Sequence, residues 1–367
     1  VKFAIERSVL LKAMLLADSV VEARTTIPVL SNVMLKAHGN RLRLTSTDLD
    51  IAIEQAVPAT VETGGGITVN SATLAGIVRK LPDGAAISCE LADNRLVVKA
   101  GRSRFALQTL PCEDFPDFAA GNDGTGFVMP AKAFHRLMSG PLFSASTEEI
   151  RYYLNGVYLH HRPAHGDLAA CATNGHHLGL YWDDLPAGAD AIPGVIVPRK
   201  TCALLAKHLD GVDGDAAIRV SASRVVVKWG EISIASKLID GTFPDYERVI
   251  PRGNQLVAEI STSVIRAAVD RVTAVTGDKT RAVKLVLTAN AISLVVDNPD
   301  GAASDEIDVV YAGPEVFIGF NAKYLTSTVA ALEDGNVRMA LANAGSPAVF
   351  TPANGGKCLA VIMPMRV

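Results

Sequence analysis

Apolar residues recur along this chain with two different periods, and the switch from one period to the other happens again and again. Alternation at every second residue marks short stretches rich in Val and Ile, such as "NRLVVKA", "SRVVVKW" and "NAISLVV". That period sends one row of side chains into a core and the other into water, so it predicts half-buried strands. Between them the apolar residues adopt helical spacing, which predicts helices at residues 8–23, 71–81, 131–143, 199–209, 261–276 and 322–332. Ser8 and Ser261 suit helix N-caps, and Pro130 suits a first helical turn. Asn, Asp and Gly separate the strands as turn residues do.

The order of these elements repeats. "ITVNSATLAGIVRKLPDGAAI" from Ile67, "VIVPRKTCALLAKHLDGVDGDAAI" from Val195 and "VFIGFNAKYLTSTVAALEDGNVRM" from Val316 each run strand, polar step, helix, strand. Leu81, Leu209 and Leu332 hold one place in that pattern. Phe115-Pro116-Asp117 and Phe243-Pro244-Asp245 stand as far apart as Leu81 and Leu209 do. The openings "FAIERSVLLKAM", "FVMPAKAFHRLM" and "VAEISTSVIRAAV" match as well. Three units follow, at 1–123, 124–252 and 253–367, each with two helices and many short strands. The fold class is α+β with antiparallel sheet, since neither a βαβ series nor a Gly-rich phosphate loop is present.

A length of 367 residues fits this division, because one core rarely serves so long a chain. No apolar run approaches the roughly 20 residues of a membrane span, and the N-terminal stretch reads as a strand and helix and not as a signal peptide. Cys89, Cys112, Cys171, Cys202 and Cys358 are scattered, with no Cys-x-x-Cys pair, which favours a reducing cytoplasm over a disulfide framework or zinc cage. The net charge of −3 argues on its face against nucleic acid.

The average misleads, because charge is sorted between elements. The six helical segments carry Lys12, Arg79, Lys80, Lys132, Arg136, Arg199, Lys200, Lys207, Arg266, Arg271 and Lys323 against only Asp18, Glu22 and Asp270. Arg24 follows the first helix. Helices tolerate Glu as well as Lys, so propensity does not explain the imbalance. A surface of helices facing the phosphates of double-stranded DNA does, and without aromatic stacking or a recognition helix the contact is blind to sequence. The chain ends are also sorted. "NRLVVKAGRSRFALQ" brings Arg95, Lys99, Arg102 and Arg104, whereas "DNPDGAASDEI" brings Asp297, Asp300, Asp305 and Glu306. A basic strand edge and an acidic one suit a head-to-tail contact between copies, alongside the plain alternative of solvated charge. The last residues, "VIMPMRV", are apolar where chain ends are usually polar, so they are either buried or held out for a partner.

Taken together and in order, "TDLDIAI", "GRSRFAL", "RYYLNGV", "VIVPRK", "SKLIDGTFPDYERVIP", "IGFNAKYL" and "VIMPMRV" resemble the bacterial sliding clamps, the β subunits of DNA polymerase III, over the whole chain. The resemblance implies a clamp fold in which two chains close head to tail into a ring around DNA. The ring has no catalytic residue, metal or cofactor. It implies a seam with Phe105 and Leu107 on one subunit and Ala274 and Val275 on the other, flanked by Arg95, Arg102, Arg104, Asp300, Asp305 and Glu306. It implies DNA contacts from Arg24, Arg79, Lys80, Lys132, Arg136, Arg199, Lys200, Lys207 and Arg266. It also implies an apolar cleft for a short peptide of the replicative polymerase α subunit, the clamp loader and repair polymerases. One wall of that cleft takes Arg151, Tyr153, Leu154, Thr173, Gly175, His176, His177 and Leu178. A second takes Pro244, Arg248 and Val249, and a third Asn321 and Tyr324. The tail supplies Val361, Met363, Pro364, Met365 and Arg366, with pairing expected to stop at Pro364.

The chain departs from the family pattern in places. "TNGHHL" has Asn174 where an acid is usual and His177 where an Arg is usual, so a permanent cation is expected to become one that titrates near neutral pH. Val367 replaces the commoner Leu, "VNSATL" lacks a basic pair found in some relatives, and Glu148 and Glu149 make their loop a poor DNA contact. Two other readings remain open from the residues. His160, His161, His165, His176 and His177 lie close together in sequence near Asp167 and Asp183, which suits a metallohydrolase, although His160 and His161 point to opposite faces of a strand. A repeat scaffold binding proteins without DNA would keep the cleft and lose the ring.

Overall fold

The computed structural model describes residues 1–22, 25–116, 123–275, 282–299, 301–332 and 335–367. Among these are six α-helices: α1 (Arg7–Asp18), α2 (Ser71–Lys80), α3 (Ala131–Ser139), α4 (Arg199–Leu209), α5 (Thr262–Val272) and α6 (Ala322–Ala331). Their strands form antiparallel sheets of 13, 8 and 4 strands. The chain divides into two compact units, one of Val1–Ala131 with Val212–Leu238, the other of Lys132–Gly211 with Ile239–Val367.

The first unit holds the 13-stranded sheet. α1 buries Leu10, Ala13, Met14 and Ala17, a helical stripe that meets Leu74, Ala75 and Val78 of α2 and the strand residues Leu35, Leu44 and Val98 in one core. Gln55 reaches into this core and donates to the Ala13 carbonyl at 2.6 Å. The sheet does not stop at the first sequence repeat. Ile232–Lys237, from the second repeat, pairs with Ile51–Pro58, register Ile234↔Ile53. Arg224–Trp229, Asp215–Val220 and Thr125–Pro130 continue from it. Pairing across the repeat border covers what would otherwise be an exposed edge.

The second unit does the same at its own border. Its 8-stranded sheet places Cys358–Ile362 of the third repeat against His177–Asp184 of the second, with Leu178↔Val361 and His177↔Ile362 in register. The 4-stranded sheet ends on Gly301–Asp308, which pairs with Ala291–Asn298 on one side only.

Several helix ends differ from the sequence expectation. α1 stops at Asp18, α3 at Ser139 and α5 at Val272, and the apolar spacing beyond the last two belongs to 3-10 turns at Gly140–Ser144 and Thr273–Val275. Glu6, not Ser8, caps α1, accepting from the Ser8 N–H at 3.0 Å. Ser261 occupies the cap position of α5 without a side-chain cap bond, and Pro130 ends a strand one residue before α3.

Candidate functional site

The cleft residues predicted from the sequence meet in the second unit, around the pairing of Cys358–Ile362 with His177–Asp184. Leu154, Leu178 and Val361 share one buried cluster with Phe243 and Tyr246, the apolar floor of the candidate cleft. The tail resolves the question raised by its sequence. Val361 and Ile362 are 3% and 0% exposed, whereas Met363, Met365 and Val367 are 45%, 39% and 54% exposed. The segment is therefore buried at its root and presented at its tip. Pairing does not stop at Pro364, as had been expected. The Met363 N–H donates to the His176 carbonyl at 2.9 Å, and the Met365 N–H donates to the Gly319 carbonyl at 2.9 Å. Pro364 removes only its own donor, so the chain resumes bonding one residue later. Gly319 permits this approach, since a Cβ there would lie 2.5 Å from the Met365 carbonyl oxygen. The thioethers of Met363 and Met365 are thus offered on a fixed backbone, and such side chains adapt to varied partners.

Around this floor the polar groups hold the walls. Asn174 Oδ1 accepts the N–H groups of His176 (2.9 Å) and His177 (3.1 Å), closing the turn that follows Thr173. Gly175, at φ 88°, completes that turn. Arg151 lies beside Gly175 and is held by Glu148 through two bonds of 2.9 and 2.7 Å, a pairing that keeps the Glu148 carboxyl below its ordinary range. Asn321 caps α6, accepting from the N–H groups of Lys323 and Tyr324, and so sets Tyr324 toward His177. Those two rings stack at 4.2 Å. Pro244, Arg248 and Val249 are exposed on the segment that Phe243 and Tyr246 anchor from within, and Arg248 pairs with Asp245 at 2.6 Å. Tyr153 lies under Gly241 of that segment's approach.

His177 corrects one expectation. It is 4% exposed, and its Nδ1 and Nε2 lie 2.9 Å from Asn174 Oδ1 and 3.2 Å from the Phe143 carbonyl oxygen, both acceptors. Burial pushes its pKa down to about 4, so it is neutral at physiological pH and does not titrate there. Sequence reasoning missed a groove of about 570 Å³ beside the tail, lined by Phe317, Ile318, Gly319, Ala344, Gly345 and residues 364–367. Phe317 at its edge is half-exposed, which the sequence pattern did not signal.

The basic residues fall on both units. In the first, Arg79 and Lys80 are exposed in the last turn of α2, where cations also complement the helix dipole. In the second, Lys132, Lys200, Lys207 and Arg266 are exposed on α3, α4 and α5. Arg136 is committed inward, to the Trp182 carbonyl at 3.0 Å and Asp183 at 3.2 Å, and Arg199 donates to the Ala145 carbonyl at 3.0 Å. Arg24 lies outside the described residues.

The candidate seam residues lie on strands and on turns. Ser103–Leu110 pairs along its length with Arg95–Ala100, but on its other side only through Thr109 and Leu110. Phe105 and Leu107 are half-buried on one face, with Arg104 on the other, and Arg95 and Arg102 are exposed. In the second unit Asp305 accepts from Arg271 at 2.8 Å, and Glu306 accepts from the Ser293 hydroxyl at 3.1 Å. Ala274 and Val275 lie in the turn after α5, and Asp300 lies outside the described residues. The histidines do not assemble a metal site. His160 is bound to Tyr246, and among the described residues no group of three or more His, Cys, Asp or Glu is arranged to hold a metal ion. No helix among the described residues is long and apolar enough to cross a membrane.

Repeated helix-and-sheet domains, basic helices and a presented apolar tail are features of DNA clamps. Family models of the DNA polymerase III beta subunit match the chain as its N-terminal domain over residues 1–119, its central domain over 128–245 and its C-terminal domain over 247–366. A beta sliding clamp of Caulobacter vibrioides is 42% identical over 372 residues, covering 100% of both chains. That of Escherichia coli K12 is 34% identical over 371 residues, again 100% of both. The crystal structure of a sliding clamp from Bartonella birtlesii bound to griselimycin has a TM-score of 0.96 at 38% identity, over 100% of this chain and 99% of that one. The chain belongs to the DNA polymerase III beta subunit family, with three clamp domains of α+β fold, and its function is that of a DNA sliding clamp in replication. The scaffold reading without DNA is thereby set aside.

Proposed function

We propose that two copies of this chain close head to tail into a ring around duplex DNA and that the ring tethers other proteins without catalysing a reaction. Its domains run 1–123, 124–252 and 253–367. Residues 103–110 with Phe105 and Leu107 meet residues 301–308 with Ala274 and Val275 of the second copy. Arg95, Arg102 and Arg104 face Asp300, Asp305 and Glu306 there. Among the described residues, 103–108 pair with a strand on one side only and Gly301–Asp308 ends its sheet, which supports this pairing. Arg24, Arg79, Lys80, Lys132, Arg136, Arg199, Lys200, Lys207 and Arg266 attract phosphate, with the exposed members carrying most of the attraction. Enclosure holds the ring on DNA, so a weak, screened contact is enough and permits sliding. The replicative polymerase α subunit, the clamp loader and repair polymerases insert a short peptide beside the tail, and the protein works in the cytoplasm without metal or cofactor.

The observation that carries the tethering role is the tail: an apolar tip offered on a backbone fixed at Met363 and Met365. Griselimycin, the ligand in the Bartonella birtlesii clamp structure, is on this reading a ligand of the same cleft. Retention on DNA tests the ring. The protein is loaded on a nicked circular plasmid with its loader and ATP, free protein is removed, and half the sample is linearised. Loss from the linear form with retention on the circle is the expected result. Equal retention on both would replace enclosure with direct binding.

A further inference from the structure

Beneath the exposed wall formed by Pro244, Arg248 and Val249 lies a buried polar and aromatic chain that the cleft reading does not use. Tyr158 and His160 stand two residues apart on Gly156–Arg162 and so face the same side. Their rings stack at 4.2 Å, and the far face of Tyr158 stacks on Phe243 at 4.9 Å and 7°. Tyr246 meets His160 edge-on, with its hydroxyl 2.9 Å from His160 Nε2. Arg162, on the same strand, is held by Asp167 through bonds of 2.8 and 2.6 Å. His160 Nδ1 lies 3.4 Å from the Tyr158 carbonyl oxygen, which can only accept, so Nδ1 carries the proton and Nε2 accepts the Tyr246 O–H.

The geometry points to His160 and Tyr246 as positioning residues of the peptide cleft, their hydrogen bond fixing the wall that carries Pro244, Arg248 and Val249. The inference rests on the cleft reading above. Phe243 and Tyr246 are the inward residues of that wall, 8% and 5% exposed, and they flank or precede every outward one. The wall is a short 3-10 turn, Tyr246–Val249, with no side-chain cap, so its own backbone holds it weakly. Phe243 and Tyr246 also belong to the cluster that contains Leu154, Leu178 and Val361, so the strut and the cleft floor are one packed body. A wall fixed before binding spares a peptide the cost of ordering it.

Griselimycin is the probe, with its Kd measured on the full chain. Tyr246→Phe keeps the ring and removes only the hydroxyl; it is expected to raise Kd roughly fivefold, the scale of one neutral hydrogen bond. His160→Leu is expected to do the same. His160→Gln, whose amide oxygen can take the hydroxyl proton, is expected to recover most of the loss. A purely structural role would not show that recovery. Hydrogen exchange at Ile250, whose N–H bonds to the Glu247 carbonyl, should quicken in Tyr246→Phe and return toward the original rate in His160→Gln. Because His160→Leu can fail by unfolding, Tyr246→Phe decides. A folded Tyr246→Phe protein with unchanged Kd overturns the positioning role while leaving the cleft intact. Val249→Ala separates the two readings: if it too leaves Kd unchanged, the wall does not touch the ligand, and the cleft reading falls with the inference.

Discussion

Acid should loosen the second unit well before its carboxylates titrate. Burial pushes His160 and His177 from an ordinary value near 6.5 down to about 4. Between those values the unfolded chain binds a proton at each ring and the folded chain does not, so stability is full above pH 6.5 and is lost as pH falls toward 4. Each group then removes about 2 kcal/mol between pH 7.5 and pH 5, or about 4 kcal/mol together. His208 is pushed in the same direction, also by burial. Glu6 and Glu148 are shifted down by hydrogen bonds from Ser8 and Arg151, so they enter only at lower pH. The two histidines contribute alike because their shifts are alike, although the contacts differ: protonating His160 at Nε2 destroys the bond it accepts from Tyr246, whereas both ring nitrogens of His177 face oxygen acceptors. Urea unfolding at pH 7.5, 6.5, 5.5 and 5.0 measures the loss. In a Trp229→Phe background, Trp182 fluorescence reports on the unit that holds both rings. His160→Gln and His177→Gln should each remove about half of the slope. A flat profile down to pH 5, or an undiminished slope in the double variant, would refute the reasoning.

Other outcomes follow from single contacts. Gly319→Ala drives a Cβ into the Met365 carbonyl and Val367, each 2.5 Å away; it should strain the seated tail by about 1–3 kcal/mol, quicken exchange at the Met365 amide and weaken griselimycin. Unchanged exchange there would mean the tail is not seated by that bond. Asp167→Ala leaves Arg162, 9% exposed at its side chain, without its carboxylate; a loss of about 3–5 kcal/mol in urea unfolding is expected. Leu107→Asp should raise the dimer Kd at least roughly a hundredfold in sedimentation, because a carboxylate cannot be buried cheaply at the seam; an unaltered dimer would remove Leu107 from it. Ala at Arg79, Lys80 and Lys207 together should reduce loading and retention on circular DNA while griselimycin affinity stays unchanged. Loss of both would point to damage to the fold instead.

The repeats were legible because each depends on local period alone. Alternating Val and Ile in "SRVVVKW" and helical spacing in "AGIVRKL" need no knowledge of what lies across from them. Which strand lies across was not legible. Cys358–Ile362 reads as a generic buried strand, and its pairing with His177–Asp184 is set by packing between residues far apart in the chain. For the same reason the borders between repeats gave no hint that Ile232–Lys237 would extend a sheet begun at Ile51–Pro58. The overlong helices at 131–143 and 261–276 failed differently: a 3-10 turn keeps apolar residues at a spacing close to helical, so periodicity runs past the true end.

Counting charges by residue type overstated their freedom. Arg136, Arg151, Arg199 and Arg248 all hold internal bonds, to Asp183, Glu148, the Ala145 carbonyl and Asp245. Partners of this kind come from other elements or from a turn whose shape the sequence does not announce. The substitutions at 174 and 177 make the point sharply. By residue type, His177 is a titratable cation beside a cleft. In place, Asn174 has spent its oxygen on two backbone donors and one ring nitrogen, Tyr324 covers the ring, and the site is neutral. The accessible charge near His177 is therefore carried by other residues, among them exposed Arg248 and Arg366. Arg248 is 84% exposed at its side chain and paired with Asp245, itself 56% exposed, a contact water weakens. Discrimination among peptides in this cleft should consequently come from shape against Leu154, Leu178, Val361 and the two methionines first, and from charge only at the edge, where salt can screen it.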